Sequence, residues 1–140
     1  MMNACAGDLM RYRKHVRAED VMVFTDIKKK HSAHAITSDV SIADTAKAAE
    51  FFLSDGVILT GSHTGQAADQ KEFKDVQQAT GLPVLIGSGV TNENLELFKS
   101  ANGLIVGSYF KQDGHWNNEL DENRLKVFME SVKSLRERLK

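Results

Sequence analysis

The sequence predicts an α/β fold: about four parallel strands, each followed by a helix, with one leading helix. Two observations carry that prediction. Short apolar runs alternate with stretches of helical period along the 140 residues, the pattern of a sheet with helices packed on it. The runs themselves, such as Val57–Thr60 and Val84–Ile86, are continuously apolar, as in parallel strands buried on both faces.

The elements follow in order. Asp8–Ala18 reads as a helix, with Leu9, Tyr12, Arg13 and Val16 at helical spacing and Asp8 as its N-cap. Val21–Ile27 reads as a strand, followed by a polar loop from Lys28 to Val40. Ser41 caps a helix over Ile42–Ser54, with Asp44 as the acid of a capping box and Gly56 as the left-handed stop. Strand Val57–Thr60 ends in Gly61-Ser62, and Asp69 with Glu72 starts a helix over Gln70–Thr80 that Gly81 and Pro83 terminate. Strand Val84–Ile86 leads to a helix over Asn92–Ser100 capped by Thr91. Asn102-Gly103 turns the chain into strand Leu104–Val106, and a loop holding Asp113-Gly114 and Trp116 follows. The last helix, Glu122–Leu139, carries the apolar stripe Leu125, Phe128, Met129, Val132, Leu135 and Leu139. Residues 1–140 are thus expected to form one domain. A closed eight-stranded barrel needs roughly 200 to 250 residues, and four strands make about half of one. A doubly wound, receiver-like sheet is the alternative fold, but its acidic cluster after the first strand is not evident.

Composition narrows the function classes. The formal net charge of -1 gives no reason to expect nucleic acid as a general partner. No apolar run approaches the ~20 residues of a membrane span. The single cysteine, Cys5, excludes an internal disulfide and fits an unpaired thiol in a reducing compartment better than a nucleophile. The first residues lack the basic flank and apolar core of a secretory signal.

Functional groups of parallel α/β folds gather at the C-terminal ends of the strands. Leu82–Thr91 and Leu104–Ser108 each run from an apolar strand into glycine and serine. Glycines there let backbone N–H groups approach an anion, and two such ends side by side make a phosphate cradle from Gly87, Ser88, Gly89, Gly107 and Ser108. The alternative is that these glycines only shape tight turns. Thr60 and Gly61 end the strand before and join the candidate phosphate-binding set; Ser62, His63 and Thr64 follow them. Asp26 closes an otherwise apolar strand and needs a partner, which Lys30 and His31 can supply. Asp26, Lys30 and His31 could then move a proton or polarise a carbonyl or phosphoryl group, or simply form a salt bridge that fixes the loop. Lys28 and Lys29 read as a solvated face. His31, His34 and His63 form no convincing zinc pattern, and magnesium held through substrate phosphates near Asp26 or Asp39 is conceivable. No metal ligand or cofactor is assigned. Trp116 and Tyr109 either cover a ligand or pack the last helix, the second being preferred.

The assembled motifs resemble the BtpA family. They are Asp26-Ile-Lys-Lys-Lys-His31, His34-Ala-Ile36, Asp39-Val-Ser-Ile42, Thr45-Ala-Lys-Ala-Ala-Glu50, Asp55-Gly-Val-Ile-Leu-Thr-Gly61, Pro83-Val-Leu-Ile-Gly-Ser-Gly-Val-Thr91 and Gly103 through Trp116, with Leu9-Met-Arg-Tyr-Arg13 as the leading helix. The resemblance covers nearly the whole chain. It implies a TIM-barrel-like fold of the phosphate-binding type, of which this chain is the C-terminal half, so that the glycine–serine pair follows barrel strands seven and eight. It implies an intracellular protein, mitochondrial or cytosolic. It carries no settled reaction: a phosphorylated small molecule is the expected ligand, with enzyme activity in the full-length protein. The alternatives are a non-catalytic assembly or stability factor and a truncated, inactive isoform. A half-barrel also exposes edges that a second copy could close, making a homo-oligomer.

Overall fold

The computed structural model describes residues 5–28, 35–63 and 65–140. Helix α1 (Ala6–His15) leads into β1 (Phe24–Asp26), and α2 (Ile42–Phe51), β2 (Gly56–Thr60), α3 (Gln70–Ala79) and β3 (Val84–Gly87) follow. A 3-10 turn, Leu95–Phe98, precedes β4 (Gly103–Ile105), and α4 (Glu122–Arg138) ends the chain after two further turns, Ser108–Phe110 and Gln112–Gly114. The four strands are parallel and lie in the order β1-β2-β3-β4. Sequential order is that of a barrel wall, whereas a receiver-like sheet places its first strand inside. Among the described residues the sheet does not close, so β1 and β4 are both edges.

The register divides the sheet into two unlike faces. Val57 pairs with Val84 and Leu59 with Ile86, and alternation sends all four to one side together with Ile27 and Leu104. That side carries the core, where Ala46 of α2, Phe73 and Val76 of α3, and Phe128 and Leu135 of α4 cover the strands. The opposite side holds Phe24, Asp26, Ile58, Leu85 and Ile105. No helix lies over it among the described residues, and Ile105 is 47% exposed. In a closed barrel these side chains would fill the interior.

Caps follow local chemistry. The Ser41 hydroxyl accepts from the Asp44 N–H at 3.1 Å and donates to its carboxylate, as the Ser–Asp spacing predicts. Asp69 and Asp121 accept from the N–H groups of Glu72 and Arg124, each at 2.9 Å. Several sequence expectations shift. Asp8 sits inside the first turn of α1 and pairs with Arg11, while Cys5 occupies the N-cap without a side-chain bond. Gly56 is not the left-handed stop of α2. That position is Leu53 (φ 67°), with Leu53 N–H donating to Glu50 O and Ser54 N–H to Ala49 O. Gly56 instead begins β2, where a Cβ would fall 2.2 Å from the Phe24 ring. Thr91 caps no helix, because Asn92–Ser100 forms only the short turn Leu95–Phe98. Tyr109 packs the last helix as expected, against Phe110 and Phe128, but Trp116 is exposed and stacks on His115.

One polar cluster joins the leading helix to the sheet. Asp55 accepts from the Val23 N–H at 2.6 Å and from Arg13 at 2.8 Å, and Arg13 also reaches the carbonyls of Ala18 and Glu19. The Val23 N–H, reinforced by Arg13, holds the Asp55 carboxyl below the usual carboxylate range. A group lowered in the folded state stabilises fully above its unfolded value and loses that contribution as pH falls through the folded one. Asp55→Asn should therefore cost about 1–3 kcal/mol at pH 7. Thermal melts should show its deficit constant from about pH 5 to 7 and shrinking below about pH 4.

Candidate functional site

The candidate site lies at the C-terminal edge of the sheet, and β3 and β4 place its centre. Gly87 ends β3 opposite Ile105, and the Ser88 N–H donates to the Ile105 carbonyl at 2.8 Å. The turns Ser88-Gly89 and Gly107-Ser108 are therefore neighbours. Ser88 and Gly89 are both left-handed (φ 77° and 70°), so the chain leaves the strand through two successive reversed residues. Consecutive N–H groups in such turns form concavities that suit an anion. Asn94, which sequence reading passed over, braces this turn: its Oδ1 accepts from the Thr91 N–H and its Nδ2 donates to the Gly89 carbonyl, both at 2.8 Å. An asparagine three residues past a glycine–valine–threonine turn is the signal that could have marked it.

The candidate glycines have different reasons for being glycine. A Cβ on Gly89 would sit 2.3 Å from the Gln66 and Ala67 backbone, and one on Gly61 would sit 2.4 Å from the Gln66 carbonyl. Both serve the packing of one loop on another. A Cβ on Gly87 would meet Ile58 and Thr60, each at 2.8 Å, so this glycine makes room for side chains on the open face. Gly107 differs: a Cβ there would have no atom within 4 Å, and its φ is not positive. Ser108 opens the turn Ser108–Phe110, whose Tyr109 ring stacks with Arg124.

Thr60 is buried and its hydroxyl faces the Lys28 carbonyl at 2.7 Å, which ties the ends of β1 and β2 together. Asp26 is exposed at the rim of the open face and has no ion-pair partner among the described residues. Lys30 and His31, expected beside it, lie outside the described residues, as do Lys29, His34 and Thr64. Lys28, read as solvated, is half-buried and paired with both carboxylate oxygens of Glu72 at 2.7 Å. It lines a cleft of about 460 Å³ with Gly61, Ser62, Asp69 and Asn94. His63 contacts Gln66 through Nδ1 at 3.2 Å. Among the described residues, no three His, Cys, Asp or Glu side chains gather to hold a metal ion, and no helix is long and apolar enough to cross a membrane.

Comparison with known proteins gives one consistent picture. The model of the BtpA family matches residues 1–134. An uncharacterised mitochondrial protein of Caenorhabditis elegans is 52% identical over 135 residues, covering 96% of this chain and 49% of the relative. An uncharacterised protein of Pyrococcus furiosus is 32% identical over 96% of this chain and 50% of its own length. The photosystem I biogenesis protein BtpA of Synechocystis is 35% identical over 91% of this chain and 44% of its own length. The chain thus spans about half the length of the curated relatives it matches. No solved structure matches.

The glycine geometry separates two substitutions. Gly89→Ala forces backbone apart at a left-handed position and should destabilise by about 1–3 kcal/mol. Gly107→Ala, whose Cβ meets no atom within 4 Å, should cost clearly less. Parallel denaturant titrations check the contrast.

Proposed function

The chain belongs to the BtpA family, and on that premise we propose that it binds a phosphorylated small metabolite at the C-terminal ends of its strands. Ser88, Gly89, Gly107 and Ser108 hold the phosphate, with Gly87, Thr60 and Gly61 shaping the wall beside them. Asp26, Lys30 and His31 stand near the reacting atoms in a longer protein that acts as an enzyme. The carrying observation is the adjacency of the two glycine–serine turns, fixed by the Ser88-to-Ile105 hydrogen bond. Gly107 supports it, since a Cβ there would meet no atom within 4 Å, which leaves the turn open to a ligand. The chemistry such a site offers is electrostatic: backbone N–H groups balance phosphate charge while the rim carboxylate of Asp26 moves a proton.

A second reading, a non-catalytic assembly or stability factor, draws on the name of the cyanobacterial relative and on the apolar open face. That face, with unpaired strands at both edges, also suits a second copy of the chain that completes the wall. A mitochondrial location rests on the name of the nematode relative.

Calorimetry with sugar phosphates, nucleotides and inorganic phosphate tests the first reading. Binding should weaken at least about tenfold on Gly107→Asp, which places a carboxylate against the phosphate without disturbing packing. Absence of binding by this chain and by its full-length nematode relative overturns it. Light scattering tests the paired state: a mass of two chains is expected, and a cooperatively melting monomer rejects it.

A further inference from the structure

The helical layer over the sheet has a gap. Ten-residue helices, α2 and α3, serve the first part of the sheet, but between β3 and β4 the layer thins to the four-residue turn Leu95–Phe98. Between that turn, β4 and α4 lies a cavity of about 360 Å³. Its walls are Phe98, Leu104, Val106, Phe110, Phe128 and Leu135. Protein interiors rarely leave voids much larger than a water molecule, and small-molecule pockets begin at about this size.

The shape and charge of the cavity define what it takes. Its lining runs along α4 from Phe128 to Leu139, which is about 16 Å at the helical rise. A slot of that length suits an extended chain better than a compact ring. Two cations line it, Lys99 and Arg136, and no acidic residue does. Both cations are exposed and neither has an ion-pair partner among the described residues. Glu96, three residues from Lys99, is already paired with Arg138, and Glu137, next to Arg136, makes no ion pair with it because adjacent helical residues do not face each other. The site therefore combines an apolar slot with an unneutralised positive mouth, and Arg136 offers a planar fork that matches a carboxylate.

We propose that this cavity binds a medium-chain aliphatic carboxylate, its tail between β4 and α4 and its head at Lys99 and Arg136. The site is separate from the glycine–serine turns and stands or falls independently of them.

Calorimetry with octanoate, decanoate, dodecanoate and decanol, all below micelle-forming concentrations, tests it. One saturable site is expected, with affinity rising about fourfold per added methylene until the slot is full. The double substitution Lys99→Gln, Arg136→Gln should weaken decanoate at least about tenfold and leave decanol unchanged. Val132→Trp should fill the slot and abolish binding. Chemical-shift mapping on the unsubstituted chain gives a reading that does not depend on how that variant folds. Shifts confined to Phe98, Leu104, Phe128 and Leu135 support the assignment. Non-saturable uptake, a missing charge effect, or shifts at Ile58, Leu85 and Ile105 on the open face overturn it.

Discussion

The pairing of Val57 with Val84 and of Leu59 with Ile86 is the constraint from which the rest of the molecule follows. These four side chains are almost fully buried, and three helices converge on them. A slip of one residue would turn the whole set toward the uncovered side and bring Ile58 and Leu85 beneath the helices, so the register is strongly specified. The neighbouring register, between β3 and β4, sets Gly87 opposite Ile105 and so brings the two glycine–serine turns together. Strand β3 takes part in both registers and so joins core to candidate site.

The halves of the sheet are unequal in a way that fits a partial wall. The helix side is closed by aromatic contacts, Phe73 with Phe98 and Tyr109 with Phe110 and Phe128. The other side carries apolar residues without cover among the described residues. Relatives twice as long supply the same length of chain again, and an eight-stranded barrel built from two such walls needs that amount. An open wall explains why Asp26, near the end of an apolar strand, is exposed rather than buried.

Most of the architecture was legible in the sequence, for reasons that particular residues make clear. Continuous apolar runs located β2 and β3 to within a residue or so, because both faces of central strands want apolar side chains. Ser41 and Asp69 act as helix caps because each sits where an N–H lacks a partner, and Asp121, which the sequence reading left unremarked, does the same. The misses share a cause. Leu53 takes the left-handed stop expected of Gly56 because the Schellman hydrogen bonds tolerate a leucine there, while the Phe24 ring demands a glycine at the start of β2. The helix foreseen over Asn92–Ser100 shrinks to one turn because Asn94 turns its side chain back on Thr91 and Gly89. Lys28 was read as solvent-facing because its partner, Glu72, lies 44 residues away. Local propensity does not see partners brought in by tertiary structure. The candidate site was half legible: its glycines stand out in the sequence, but the distinction between packing glycines and Gly107 needs coordinates.

The contact of Gly61 and Gly89 with the same two residues, Gln66 and Ala67, has an evolutionary consequence. Barrels diversify by varying the loops at their catalytic end while the wall stays constant. Here the loops after β2 and β3 are locked into each other at backbone distance, so neither can lengthen or change course alone. The turn after β4 is less constrained, since a Cβ on Gly107 would meet no atom within 4 Å. Insertions among relatives should therefore spare the loops after β2 and β3.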